Sequence, residues 1–409
     1  MEIYEQVRIN SILYPIVMIF FMTSCISDKP GQGSVAFIDV KKKYPEKEIL
    51  LTDIADVTYL HLNTDEDDYL YRGTIKCVTE NTIVVVDNIS ESILFFSKDG
   101  NPKSRINRRG QGPEEYRSAS FGVIYDEATD EVFVFEANNN IQVYSSTGIH
   151  KRKITLPQGT YILQPIFFDN YSFFFYDYFV DLNRQMVLLG GENLPATDNN
   201  ILPYYRISRT DGEVVDYVEL PGIDLFLGVN YNERWRSVPR WYLTKCPDGV
   251  LLMSPETDTI FLYSSDKSLT PVLYQIPSVV SLNPKECITL CLDKGRYQFL
   301  QSVVIREGII RGEVYTYDLF PAKYYMRDKK TGEVVHPKLI LPDYSGKEFF
   351  VGSLDFKGGD YENGYYFELD LYELKQAYHE NRLSGRLKEL VATLNEDEDN
   401  NVFVLVDFK

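Results

Sequence analysis

Tryptophan is nearly missing from this chain, with 2 residues in 409 beside 31 tyrosines and 24 phenylalanines. Histidine is almost as scarce, at 4. His61, His150, His336 and His379 are scattered, with no His-x-His or His-Glu-x-x-His spacing. Zinc catalysis needs such spacing to bring imidazoles onto one ion, so no metal site is expected. The strained Gly-x-Ser-x-Gly turn that exposes a serine nucleophile is also lacking. No run of five basic residues exists, and 60 acidic against 42 basic side chains give a net charge of −18. Such a surface repels phosphate backbones, which excludes nucleic acid as the expected partner. The longest basic cluster, Lys41-Lys42-Lys43, reads as a solvated linker. No cofactor is expected. An acidic surface leaves calcium open, but "NTDEDDYLYRG", Asn63 to Gly73, lacks EF-hand order and reads as a solvated turn.

Long apolar runs are missing too, with one exception. Ile12 to Met22 is apolar apart from Tyr14 and Pro15. It is too short to span a bilayer comfortably and fits the core of an export signal. It ends in Met22-Thr23-Ser24-Cys25, and small residues before a cysteine resemble a bacterial lipoprotein cleavage site. Cys25 is then expected to become the N-terminus and carry lipid. The expected layout is a signal over 1–25, a tether over 26–47 and one domain over 48–409. Of the remaining cysteines, Cys77, Cys246, Cys287 and Cys291, the last two are expected on a short helix. Asn283 would cap it, Pro284 would open it and Glu286 would complete a capping box. At i and i+4 their Cβ atoms would lie about 5–6 Å apart, against about 3.8 Å for a disulfide. Free, mostly buried thiols are therefore expected.

What the chain does have is repetition. An apolar strand, a polar turn, a strand ending in an aromatic, a Gly-marked turn and a further strand recur. The clearest copies are Asn81 to Ile106 and Asp130 to Leu156. Looser ones run from Ser172 to Leu220, Asp248 to Ile276 and Gly312 to Leu341, and a degenerate one from Gly359 to Asp370. Gly100, Gly148, Gly212 and Gly332 mark equivalent corners, with Asp266-Lys267 in the same slot, because tight hairpins need positive φ. One more strand precedes each unit. Four antiparallel strands per unit, repeated, are the signature of a β-propeller. Val35 to Lys409 divides into six blades of roughly 60 residues, above the WD40-type minimum of about 40–45. The expected fold is therefore an all-β six-bladed propeller, with a sandwich or two β domains as the rival. Glu48 to Leu62 and Asn401 to Phe408 are strands without local partners. Pairing them in the last blade would remove two exposed edges. The only long helical pattern, about 371–394 with a break at Ser384-Gly385, is a decoration on that blade.

The whole chain resembles the six-bladed β-propeller lipoproteins of Bacteroidetes. The resemblance rests on the lipobox, the "DIADVTYLHL" opening, the strand units, the "NVFVLVDFK" ending and Gly110-Gln111-Gly112-Pro113-Glu114-Glu115-Tyr116. In that last motif Glu114 stands where the family usually has a third glycine. The resemblance implies an exported outer-membrane lipoprotein facing the periplasm or the cell surface. It implies no established substrate.

The stretch "RRGQGPEEY", Arg108 to Tyr116, is not a phosphate loop, because the strand "SFGVIYD" comes next rather than a helix. It is expected to link one blade to the next. There Arg109 and Glu115 pair with each other or meet a ligand, and Tyr116 packs. The long link from Leu220 carries Trp235, Arg236, Arg240 and Trp241. These residues either pack the loop or bind sugar rings, peptides or carboxylates. Arg296 and Tyr297 are expected in a comparable link on the same face. The expected function is a binding module that recognises a glycan, peptide or envelope protein. It is held to the membrane by lipid and is monomeric unless part of an envelope complex. The alternative is a propeller enzyme, lactonase- or lyase-like, that uses carboxylates with or without calcium.

Overall fold

Ile83, Val84, Val85 and Val86 are all fully buried, yet they point in two directions. Successive strand side chains project to opposite faces. Ile83 and Val85 share an apolar cluster with Tyr366 and Phe403, while Val84 and Val86 share another with Val123 and Tyr125. Phe133 and Phe135 likewise face Phe173 and Phe175, whereas Val132 and Val134 face the other way. Each unit is thus a sheet buried on both sides. That is why its second strand reads as a continuous apolar run rather than an alternation.

The structure is a computed structural model. It describes residues 35–409 apart from 65–67, 138, 158–161, 178–201, 222–227, 232–233, 238–242, 255–256, 306–308, 311–319, 350, 352–357 and 363. Six blades of four antiparallel strands form a ring. Blade one comprises Gly73–Val78, Thr82–Asp87, Ile93–Ser97 and Pro102–Ile106, and blade two Gly122–Asp126, Glu131–Glu136, Asn140–Tyr144 and His150–Thr155. Blade three comprises Ile162–Phe167, Ser172–Asp177, Tyr204–Ser208 and Val214–Val218. Blade four comprises Leu243–Cys246, Gly249–Leu252, Thr259–Ser264 and Leu269–Ile276. Blade five comprises Lys285–Lys294, Tyr297–Ile305, Ala322–Asp328 and Val334–Ile340. Blade six takes Gly358–Tyr361, Gly364–Leu369 and Val402–Phe408 from the C-terminal end and Ala55–His61 from the N-terminal end. Hydrophobic clusters lie between every pair of neighbouring blades, the sixth and first included. Burying one Val, Leu, Ile or Phe stabilises by about 1.5–3 kcal/mol, so these seams hold the ring. The six-bladed propeller expected from the repeats is the fold observed.

The N-terminal segment does more than close blade six. Ala36–Asp39 adds a parallel fifth strand to the outer edge of blade four, and Glu46–Leu50 adds one to blade five. Residues 36–61 thus form a belt across three successive blades. Part of the stretch expected as a tether, 26–47, is therefore built into the sheets. Lys41, expected in a solvated linker, reaches the buried carboxylate of Glu286 at 3.6 Å. Ala55–His61 pairs with Val402–Phe408 as expected, but the residues just before it belong to blade five.

Blade five differs most from the sequence reading. The expected helix around Cys287 and Cys291 is the strand Lys285–Lys294, which is buried along nearly its whole length. Burial on both faces removes the stripe that a helix would show, and the capping-box pattern is coincidental. The second strand is Tyr297–Ile305, upstream of the copy expected from Gly312. Cys246, Cys287 and Cys291 are buried, Cys77 is half-buried, and none of the four is in a disulfide. That matches the expectation, on different geometry. The helical decoration is the pair Leu371–His379 and Gly385–Thr393, with the break widened to 380–384.

Polar staples join the blades where their short turns gather. Arg209 Nη2 donates to Asp126 Oδ2 at 2.5 Å and lies 3.7 Å from Glu131 Oε2. Arg152 grips Glu131 with both terminal nitrogens. Burial would raise the Asp126 carboxyl, but the bonds from Arg209 and Thr129 outweigh it and the pKa falls. For Glu131 the bond from Arg152 is the largest influence and also lowers the pKa. The Arg296 fork holds the Asp328 carboxyl well below the usual range. Asp87, Glu127, Asp130 and Asp169 are lowered too, with hydrogen bonds outweighing burial in each. Carboxylates lowered by folding bind fewer protons folded than unfolded. Their stabilisation is complete above the unfolded value of about 4 and is lost as pH falls through the folded values. The urea midpoint is expected to hold from neutrality to about pH 5 and to fall steeply below about pH 4. A midpoint still unchanged near pH 3 would contradict this coupling.

Candidate functional site

Antiparallel order decides which connections share a face. In each blade the first and third turns leave on one side. The second connection and the link to the next blade leave on the other. On the first side no turn exceeds five residues. On the second side run the links 62–72, 107–121, 219–242 and 341–357 and the insertion 370–401 with its two helices. Among the described residues, one face of the disc is therefore nearly bare, and the other carries most of the added loops and helices.

Contacts among the described residues bind these additions to one another, and Asn400 of the insertion donates to Leu62 O at 2.8 Å and Tyr69 O at 3.0 Å in the link 62–72. The link between blades three and four forms a hairpin of Gly228–Tyr231 and Arg234–Ser237. Its first strand pairs in parallel with Ile309–Ile310, which belongs to the second connection of blade five. The helical insertion is docked on the link between blades five and six. There Tyr344 bridges Leu383, Ser345 N donates to Arg382 O at 2.9 Å, and Ser384 N donates to Asp343 O at 3.0 Å.

Arg108 to Tyr116 lies in the link between blades one and two, as expected from its context. Gly110 N donates to Tyr116 O at 3.0 Å, and Tyr116 N donates to Arg108 O at 3.1 Å. Tyr116 is fully buried, and its hydroxyl donates to Glu91 O at 2.7 Å. Burial pushes that phenol up to about 12. The Tyr144 hydroxyl donates to Glu114 O at 2.9 Å, and the Gln142 amide to Glu115 O at 3.3 Å. The Glu115 carboxylate folds back to accept Gly112 N at 2.8 Å rather than pairing with Arg109. A Cβ on Gly110 would sit 1.8 Å from Glu115 Oε2, so a larger residue there would displace the Glu115 carboxylate from Gly112. Tyr116 and Glu115 thus build the loop, and Arg109 projects exposed from it.

Sequence reasoning missed Glu91. This residue has a left-handed φ of 59° and accepts Ala119 N at 2.8 Å and Ser120 Oγ at 2.9 Å. It thereby orders the same link from the neighbouring connection of blade one. Nothing local marks it, since its partners lie nearly thirty residues onward.

The remaining candidates separate. Trp235 and Arg236 sit on the strand Arg234–Ser237 of the bridging hairpin. Arg240, Trp241 and Cys25 fall outside the described residues. Arg296 and Tyr297 are not in an inter-blade link. They close the first hairpin of blade five at Gly295, on the bare face. Arg296 is committed to Asp328, and its backbone N–H donates to Lys409 O at 3.1 Å. The strand before them imitates a capped helix in sequence, which hides the hairpin they close. Among the described residues no three His, Cys, Asp or Glu side chains converge as a metal-ligand set, and no helix is long and apolar enough to cross a membrane.

Blade count, ring closure and one-sided insertions define a six-bladed β-propeller with a decorated face. Residues 35–407 match the family described as "Domain of unknown function (DUF4934)", and the chain belongs to that family. No curated protein matches it. Among solved structures, it is similar to a Bacteroides fragilis protein whose name proposes that it is exported. The two share 16% identity with a TM-score of 0.59, over 89% of this chain and 99% of the other. It is also similar to a DUF4221-family member from Bacteroides vulgatus, at 11% identity and a TM-score of 0.49, over 87% and 97% of the two chains. At 16% identity the likeness to the Bacteroides fragilis protein is one of fold.

Proposed function

We propose that this chain is an exported binding module of the bacterial cell envelope, anchored to the outer membrane by lipid on Cys25. It recognises a glycan, peptide or protein through its decorated face. The observation that carries the reading is the asymmetry of the disc. Turns on one side are minimal, while the links on the other side are long and joined across blades three to five by the hairpin bearing Trp235 and Arg236. Long loops on a rigid scaffold are where binding residues concentrate. The apolar run before Cys25 supports export and lipidation.

The test is a thermal-shift screen of the purified protein against oligosaccharides, peptides and calcium, with Arg109→Ala and Trp235→Ala run alongside. A ligand-dependent rise in melting temperature that is lost in either variant supports the reading. No shift with any compound overturns it for small ligands and moves weight to a protein partner. Turnover of a compound that binds would favour the lactonase- or lyase-like alternative.

A further inference from the structure

The helical insertion carries a feature that neither the loops nor the hairpin provide. Tyr372, Lys375, Gln376 and His379 fall at i, i+3, i+4 and i+7 on one face of Leu371–His379. Leu394, Asn395 and Glu396, just past the second helix, form the opposite wall of a groove of about 460 Å³. That volume lies within the range of small-ligand sites. The apolar side of both helices is used elsewhere: Leu371, Leu374, Ala377, Leu387 and Val391 are buried in the cluster between blades five and six. The groove is therefore the insertion's outward surface and not a gap in its core.

Its chemistry is specific. Tyr372 is 70% exposed. Lys375 is spent on the Val391 carbonyl at 2.8 Å, and the Gln376 amide nitrogen on Glu380 at 3.2 Å. Among the described residues, no hydrogen bond is made by the Tyr372 hydroxyl, the His379 ring nitrogens or the Glu396 carboxylate. The groove thus sets an exposed aromatic ring among hydrogen-bonding side chains, with His379 and Glu396 uncommitted among the described residues. A sugar ring presents the matching pattern, with C–H groups on one face and hydroxyls around the edge. Lys375 and Glu396 bring one charge of each sign to the groove, which favours an uncharged ligand over an anion, and an apolar helix would strand the polar groups.

We infer that this groove binds one unit of an uncharged oligosaccharide, with Tyr372 as the stacking platform and His379 and Glu396 as hydrogen-bonding partners to its hydroxyls. The inference rests on the reading of the chain as a binding module but places the sugar on the helices rather than on the hairpin or Arg109. Saturation-transfer NMR and calorimetry with maltotriose, mannotriose, cellotriose and chitotriose, with triglycine as the peptide control, would test it. Tyr372→Ala is expected to weaken the bound trisaccharide about tenfold or more. Tyr372→Phe should keep most of the affinity, and the melting temperature should not move because the ring is exposed. Unchanged affinity in Tyr372→Ala, with loss in Trp235→Ala, would overturn this site and leave the decorated-face reading intact. Binding of triglycine alone would overturn the sugar assignment. No binding of any trisaccharide at millimolar concentration would overturn the inference while the wider screen still judged the module.

Discussion

Deleting residues 402–409 is expected to abolish cooperative folding. Val402–Phe408 is the third strand of blade six, paired on one side with Gly364–Leu369 and on the other with Ala55–His61. Its loss removes Val402, Val404 and Val406 from the seam with blade five and Phe403 and Leu405 from the seam with blade one. Five such side chains at about 1.5–3 kcal/mol each amount to roughly 7–15 kcal/mol. A whole domain is typically stable by only about 5–15 kcal/mol. Circular dichroism should show no sharp thermal transition. Val404→Asp, which buries a lone carboxylate at a fully enclosed position, should produce the same loss with the chain length intact. A cooperative melt within a few degrees of the parent in both variants would show that the ring does not depend on this strand.

Arg209→Ala should cost about 3–5 kcal/mol, read as a lowered urea midpoint at neutral pH. The guanidinium is 7% exposed and serves both Asp126 and Glu131. It also lies 4.6 Å from the centre of the Phe167 ring and 5.0 Å from that of Phe133. Removing it leaves Asp126 charged and largely enclosed between blades two and three. The loss of the aromatic contacts adds to the cost. Adding Asp126→Asn should return part of the lost stability, because a neutral amide is cheaper to leave unpaired than a carboxylate. Glu131 still has Arg152 in every variant. A cost below about 1 kcal/mol for Arg209→Ala would mean that water reaches Asp126 freely.

The blades were legible because two-sided burial writes itself as runs such as Ile83 to Val86, punctuated by corners needing positive φ. Gly100 and Lys267 both show it, at 82° and 67°. Blade five was misread where those signals fail. Its long first hairpin turns on Gly295 alone, and the strand before it begins with residues that imitate a helix cap. The placement of Arg108 to Tyr116 between blades could be read from the strand pattern on either side of it. Its internal bonding could not. That Glu115 serves Gly112 rather than Arg109 depends on how closely the loop folds on itself, and Glu91 and Tyr144 reach it from other strands. The groove at Tyr372 was hidden for a similar reason, since Glu396 comes opposite it only after two helices have packed.

Synthesis runs the other way from the belt's assembly. Residues 36–61 are made first, but their partners at 273–276, 336–340 and 402–408 come progressively later. Until the final strand emerges, Ala55–His61 has no mate. An unpaired strand in an unfinished chain is a template for aggregation. Contacts of such long sequence separation also close slowly. Ala55–His61 is thus the last part of the belt to be paired, and the ring closes only once residues 402–408 have emerged.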